Sequence, residues 1–543
     1  PQTDLIKVLE RRRAAGVELV TLALDASELG ARLPLRSFGP WLTSLLAALA
    51  ENNHWLRQVV PQDVLPRMAA QGRVYLPGWT PVELAESCHG RPVDELLGEE
   101  RHYVRAGTWE TLLSRYEPVN RVHKRLWLAS AEVERLRRRL AREKGGLQDA
   151  ARARSLEQAT VALYRAQGSA GWFEGAQGGL YSPAVRRGVF ASLAECESLV
   201  GRNLGEGARV RAMRLDYDRD GHEEILVRTP HFLAIVDPNE GGAITELSSF
   251  GVPGNVLDTT TRCDEPWHSE LDSYTKLPRL VIEEEDDDPS NFELAALAMS
   301  ERAMPTPSDS FADEEAHLAA LADSLIVDRS RRGALLDHFL GPATTPGNLA
   351  RAAHPELGDF AGAAYRLVSA EESGPGLLSV VMTREGGVLD RGEARMVQIK
   401  KQLIFSRDLP TVQIEYDLTN RFQTTVESRF AVELSLALPD HGPGFLLADG
   451  VEQLSTEHPG TLENVAEIRL DQGGGRTVIV RLPPQAHADL FHYPVNAVVR
   501  RDGQLTLVQQ SVCLVLAWPV QLWGEERKSY SLSLTIESRP PRR

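Results

Sequence analysis

The sequence predicts a multidomain protein: an α/β region, then a helical segment, then a large antiparallel β-sandwich. Three observations carry this. The chain has 543 residues, a length that suggests two to four domains. Long amphipathic stretches rich in Leu, Ala, Glu and Arg are confined to about residues 85–205. From about residue 206 onward, short β-rich runs follow one another with Gly, Asn, Asp and Pro between them and no intervening helical pattern, which argues for sheet on sheet.

The elements follow in order. In residues 1–84, Val17 to Leu24 is an apolar run of strand length that ends at Asp25. Leu42 to Trp55 carries apolar residues at helical spacing, and Gly72 to Pro77 reads as a short strand closed by proline. A lone strand–helix–strand cannot bury both faces of a sheet, so this region reads as the tail of a larger α/β domain. In residues 85–205, Arg121 to Lys144 and Gln148 to Gln167 are expected as helices, with a break at Lys144-Gly145-Gly146. A Gly-rich aromatic loop runs from Gly168 to Tyr181, and Pro183 opens a third helix to about Gly201. In residues 206–543, Met396 to Phe405, Thr411 to Thr419, Arg429 to Leu438, Arg476 to Leu482, Gln504 to Trp518 and Ser529 to Glu537 are expected as strands. An acidic insertion near 275–330 interrupts them. Its block Glu283 to Asp288, and the Pro- and Ser-containing sequence as far as Asp313, is expected as a solvated loop.

Composition bounds the function. Hydrophobic residues make up 42% and charged residues 25%, which excludes global disorder. No apolar run approaches the ~18 residues a membrane span needs. The net charge of −16 repels nucleic acid and anionic lipid but not a neutral sugar. Cys88, Cys196, Cys263 and Cys513 lie far apart without C-x-x-C spacing, so a reducing, cytoplasmic compartment is expected. The first residue is Pro1, with no initiator Met and no signal-peptide pattern, so further residues are expected upstream.

Several phrases together resemble the family 57 glycoside hydrolases, in their 4-α-glucanotransferase and α-amylase branch. They are Gly72 to Pro77 (G-R-V-Y-L-P), Asn120 to Arg125 (N-R-V-H-K-R), Leu163 to Gln167 (L-Y-R-A-Q), Gly178 to Tyr181 (G-G-L-Y), Leu335 to Leu340 (L-L-D-H-F-L) and Leu357 to Phe360 (L-G-D-F). The resemblance covers nearly the whole chain. It implies the C-terminal part of a (β/α)7 barrel over 1–84, a helical segment that completes an active-site cleft over 85–205, and a β-sandwich over 206–543. It also implies cleavage or transfer of α-1,4-glucan chains with retention, by a Glu nucleophile and an Asp acid/base, with no catalytic cofactor. A retaining pair sits ~5–5.5 Å apart. The family's nucleophile phrase and its His-Gln-Pro phrase have no match in these 543 residues, so this chain by itself is expected to be inactive. The implied partner is an α-glucan or maltodextrin.

The family's acid/base phrase, D-G-E-K-F-G, aligns with Asp25 to Gly30, and Asp25 with the acid/base. A carboxylate just past a barrel strand's C-terminal end faces the active-site mouth. Read by pattern alone, Asp25 instead caps a helix with Ser27 and Glu28 in its first turn. Departures stand beside the match. The family's Glu in that phrase is Ser27, although a one-residue slide brings Glu28 to its place. In the phrase N-D-A-Y-W-H-G, the family's Asp is Ala170 and its His is Glu174. A scaffold retained around a rewritten site keeps a second class open, a catalytically degenerate glucan-binding or scaffold protein. Trp172, Phe173 and Trp79 are the candidates for stacking on sugar rings, with Glu174 beside them. Core packing accounts for Trp79 at least as well.

Asp216 to Glu224 reads D-x-D-x-D-G-x-x-E. Alternating Asp residues gather carboxylates, Gly221 permits a sharp turn, and Glu224 adds oxygen toward the ~6–8 that Ca²⁺ takes. Asp216, Asp218, Asp220 and Glu224 are therefore the metal candidates. An acidic turn held by Asx hydrogen bonds explains the same residues equally well. His123 and the pair Trp267-His268 are expected to be structural.

Overall fold

A computed structural model describes residues 2–22, 35–64, 66, 68, 109–143, 145–146, 148–168, 171–172, 179–205, 209–275, 309–439, 444–501 and 504–539. The chain divides into two compact units, Pro1–Pro77 and Gly78–Arg543.

In the first unit the helices Gln2–Ala14 and Leu35–Glu51 bury Leu9 and Leu45. The second agrees with the helical spacing seen from Leu42. The strand expected from Val17 is not formed over residues 17–22, where Val17, Leu19, Val20 and Leu22 are exposed. Among the described residues this unit has no strand at all. An apolar run becomes a strand only when a neighbour takes up its backbone N–H and C=O groups, and among the described residues none pairs with this segment. Asp25 and the Gly72 to Pro77 segment lie outside the described residues.

In the second unit a short helix, Trp109–Arg115, is followed by three long ones. Glu117–Arg142 starts with proline in its first turn and is strongly amphipathic. Ala150–Ala166 begins at Asp149, whose carboxylate accepts from the N–H groups of Ala151 (2.9 Å) and Arg152 (3.3 Å). Pro183–Asn203 starts with proline after Ser182. Their apolar stripes meet in one cluster that includes Leu126, Leu136, Leu140, Leu163, Leu193 and Val200. Each leucine so buried contributes ~1.5–3 kcal/mol relative to an exposed one.

The rest is two antiparallel sheets face to face. The first, of ten strands, runs in space Arg211–Leu215, Glu224–Arg228, Phe232–Asp237, Ala243–Ser249, Ala334–Leu340, Val426–Leu436, Gln504–Leu522, Ala488–Arg501 and Gly460–Val465, with Gly254–Asn255 beside the fourth. The second, of nine strands, runs Glu452–Ser455, Phe445–Ala448, Glu467–Gly473, Arg476–Arg481, Arg527–Ser538, Thr411–Asn420, Glu393–Ser406, Leu377–Asp390 and Arg366–Gly374. All six strands expected within residues 206–543 are among them. Alternate residues fill the space between the sheets. Phe430 of the first sheet packs on Phe339 and Trp518 of its own sheet and on Tyr416 of the other.

The acidic insertion is not loop throughout. Asp309–Asp323 is a helix, and its Leu321 and Ala322 are buried against Leu271 and Val498. Apolar residues spaced three and four apart override the local surplus of charge. Residues 276–308 lie outside the described set. No helix among the described residues is long and apolar enough to cross a membrane.

Candidate functional site

The helix Glu117–Arg142 works on two faces. Arg121 and Arg125 are four residues apart and share one face, while His123 lies about 200° around the helix from each. The arginine face meets the first sheet. Arg121 Nε donates to Asp218 Oδ2 (3.0 Å), and its Nη2 reaches Asp237 Oδ2 and Glu240 Oε2 (both 3.1 Å). Asn120 Nδ2 donates to the Asp218 carbonyl at 2.7 Å. Arg125 joins Glu246 (2.9 Å) and Glu197 (2.8 Å). Arg186, on the third long helix, donates to Asp258 and Gln510, each at 2.7 Å. Arg121, Arg125 and Arg186 are all buried. The sequence offered a signal for this joint that the motif reading passed over: arginines at i and i+4 inside an otherwise apolar stripe of Val122, Leu126 and Ala129. A cavity of about 70 Å³ remains at the joint, lined by Arg121, Arg125, Arg186 and Glu246 among others. It is far below the ~300–1,000 Å³ of ligand pockets.

The Asp-rich turn sits against this arginine face. Asp216, Asp218 and Glu224 converge, with one oxygen of each within 4.8 Å of the others. Each carboxylate spends one oxygen locally. Asp216 Oδ2 accepts from Gly221 N–H (3.3 Å), Asp218 Oδ2 from Arg121, and Glu224 Oε2 from Tyr217 N–H (3.0 Å). The second oxygens, Asp216 Oδ1, Asp218 Oδ1 and Glu224 Oε1, are buried and have no hydrogen-bond partner. Burial, reinforced by Asp218, pushes Glu224 up to about 8. Burial also pushes Asp218 up to about 6, against the pull of Arg121. The all-oxygen donor set with unsatisfied acceptors fits a hard divalent cation. Asp220 stands apart: it is exposed, and its Oδ1 accepts from His222 N–H at 2.8 Å. Arg219 at φ +63° and Gly221 at φ +96° turn the chain there, which breaks the alternation that grouped Asp220 with its neighbours.

On the other face of the helix lies an aromatic patch. Trp172 is half-buried and stands edge-on to Trp109 (5.6 Å between ring centres) and to His123 (5.9 Å). Its indole N–H donates to the Gln167 carbonyl at 3.3 Å. Trp127 lies 5.3 Å from His123 and is 53% exposed, flanked by Lys124 and Arg219. Burial, then Lys124, pushes His123 down. Trp79, Phe173, Glu174 and Ala170 lie outside the described residues, as does Asp25.

One junction was not legible beforehand. Tyr181, from the G-G-L-Y phrase, and Tyr116 both donate to the Glu265 carboxylate in the loop before Trp267. Burial raises Glu265 to about 7, although the two phenol donors oppose it. His268 is satisfied on both sides: Nδ1 accepts from Glu265 N–H (3.1 Å) and Nε2–H donates to the Val498 carbonyl (3.2 Å).

Comparison with known proteins places this architecture. Residues 107–200 match the family model described as α-amylase/4-α-glucanotransferase, middle domain, and residues 216–532 match the corresponding C-terminal model. The chain is 26% identical to an α-amylase of Pyrococcus abyssi over 84% of its own length and 59% of the relative's. It is 25% identical to a 4-α-glucanotransferase of Thermococcus kodakarensis over 90% of its own length and 63% of the relative's. The chain thus spans less than two thirds of each relative. The crystal structure of a 4-α-glucanotransferase from Thermococcus litoralis shares its fold with a TM-score of 0.61 at 21% identity, over 92% of this chain and 64% of that one.

Proposed function

The chain belongs to the α-amylase/4-α-glucanotransferase family, and we propose on that premise that it acts on α-1,4-glucans. The family match over residues 107–200 and 216–532 carries the reading. The aromatic patch supports it, because the C–H face of a glucose ring packs on a flat aromatic surface, and Trp127 and Trp172 offer such surfaces around His123. The proposed reaction is retaining transfer or hydrolysis, with Asp25 protonating the leaving oxygen while the family's glutamate attacks the anomeric carbon. No segment of the 543 residues matches that nucleophile's phrase, so these residues alone are expected to bind glucan without turning it over. Asp216, Asp218 and Glu224 would hold a structural Ca²⁺, which lends positive charge to the buried turn and takes no part in the chemistry.

A second reading is a catalytically degenerate glucan binder. Ala170 and Glu174 favour it. Alanine cannot contact a sugar hydroxyl as the family's aspartate would, and an ionised glutamate accepts hydrogen bonds where an imidazole can also donate.

Product analysis separates the two. With the nucleophile segment present, maltotriose is expected to yield longer and shorter maltodextrins, and Asp25→Asn to abolish both. An unchanged rate in Asp25→Asn removes that residue from its role. The degenerate reading instead expects maltoheptaose to bind with no product from either protein. In both, Trp172→Ala should weaken binding by about 1–3 kcal/mol, the value of a buried aromatic face. Absence of binding heat would end the glucan reading.

A further inference from the structure

We propose that His338, His354 and Glu356 form a binding site for a divalent transition metal of the zinc class. The inference is independent of the glucan reading. The site lies on the outer face of the first sheet, on the side away from the space between the sheets. His338 comes from the strand Ala334–Leu340, where Leu335 and Phe339 point inward and His338 points outward with Leu340. His354 and Glu356 come from the segment after the short helix Pro346–Ala350, which returns to pair with the same strand through Leu340 and Glu356.

The three side chains each offer one donor atom, and these lie within 4.8 Å of one another. Both imidazoles address one oxygen. His338 Nδ1 is 2.6 Å, and His354 Nε2 3.5 Å, from Glu356 Oε2. A metal ion at ~2.0–2.2 Å from each of two imidazole nitrogens and a carboxylate oxygen has this donor set, with a fourth position left to water. His338 and His354 are buried, so the two rings are held in place by packing and are not mobile surface groups.

The surroundings are built as outer support for a metal. Glu356 turns its other oxygen, Oε1, to the N–H groups of Phe339 (2.9 Å) and Gly358 (3.0 Å), so the carboxylate is aimed before any ion arrives. Beyond the ring, His338 Nε2 lies 3.7 Å from Glu433 Oε2. At that distance Glu433 acts on the ring through its charge and not through a hydrogen bond. Glu433 is itself held by Tyr493 Oη (3.2 Å) and Arg332 Nη1 (3.3 Å). His338 Nε2 and His354 Nδ1 are buried without hydrogen-bond partners. Nitrogen donors distinguish this site from the Asp216 turn. Imidazole suits zinc, copper and nickel, whereas carboxylate alone suits calcium and magnesium.

The test uses the full chain stripped with a chelator and titrated with Co²⁺ at neutral pH. Four-coordinate Co²⁺ on nitrogen and oxygen absorbs visible light far more strongly than the aqueous ion. One equivalent should bind with that absorption, Zn²⁺ should erase it, and excess Ca²⁺ should not. Glu356→Gln keeps an oxygen for the Phe339 and Gly358 N–H groups but turns an amide toward the histidines. It should weaken Co²⁺ by more than the ~10–100-fold that loss of an outer partner costs. His354→Ala should do the same, while Asp218→Asn should leave the absorption intact. Far-UV circular dichroism checks the fold of each variant, and Glu356→Gln alone decides if His354→Ala unfolds. No absorption in the wild type, or absorption that survives Glu356→Gln, overturns the proposal.

Discussion

Glu224 and Glu356 are both glutamates folded away from solvent, and they are driven in opposite directions. Glu224 is fully buried among other carboxylates, and burial with Asp218 pushes it up to about 8. Burial pushes Glu356 up as well, but His338, His354 and the Phe339 N–H outweigh it and hold it down at about 2. Burial alone therefore does not set a carboxylate's charge; the partners that arrive with it do. At the Asp216 turn Arg121 pairs with Asp218, and the buried carboxylate oxygens left over call for a cation. The His338 cluster carries its own balancing charge, which an arriving metal would replace. Glu265 falls between them, at about 7, because its partners are neutral phenols.

Three measurements break or sharpen that contrast. The largest effect is expected from Arg121→Ala. It leaves Asp218, Asp237 and Glu240 without their shared guanidinium, and removing one member of a buried ion pair costs ~3–5 kcal/mol. Urea unfolding should show the loss, and Ca²⁺ should recover part of it. A change within the ~0.5 kcal/mol of an ordinary surface substitution would mean the joint does not depend on that arginine.

Next is calcium itself. At a hundred times its Kd, Ca²⁺ should stabilise the chain by about 2.7 kcal/mol. Asp218→Asn should lose that gain and Glu356→Gln should keep it. If Glu356→Gln lost it too, the two clusters would not be separate sites.

The most gradual effect is in pH. The folded-state pKa of Glu265 is raised from an ordinary 4.5 to about 7. Its contribution is then fully present below 4.5 and is lost as pH rises through 7. The stability of the wild type relative to Glu265→Gln should fall across that window and level off above it. A flat difference would show that Tyr116 and Tyr181 hold the ionised and neutral carboxyl equally well.

Much of this was legible in advance, for a reason that varies by region. The long helices and the sandwich strands announce themselves because periods of 3.6 and 2 survive in any context that buries one face. Val17 to Leu22 shows the limit, since an apolar run needs neighbouring strands to complete its hydrogen bonds. The helix Asp309–Asp323 shows another, because its few apolar residues were masked by the acids around them. Within the Asp-rich turn, alternation located Asp216, Asp218 and Glu224. The backbone turn at Arg219 and Gly221 then moved Asp220 aside. Asp25, Trp79, Phe173 and Glu174 lie outside the described residues, so their roles remain proposals.

The sequence by itself determined the order of elements and the kinship, because both are written in short-range patterns: spacing of apolar residues, turn residues and family phrases. Only the tertiary structure decided which charges meet. Arg121 finds Asp237, Tyr181 finds Glu265, and His338 finds His354 and Glu356 across stretches of chain that no local period connects. Electrostatic partnership is a matter of distance and burial in space, and those exist only once the helices have docked on the sheet.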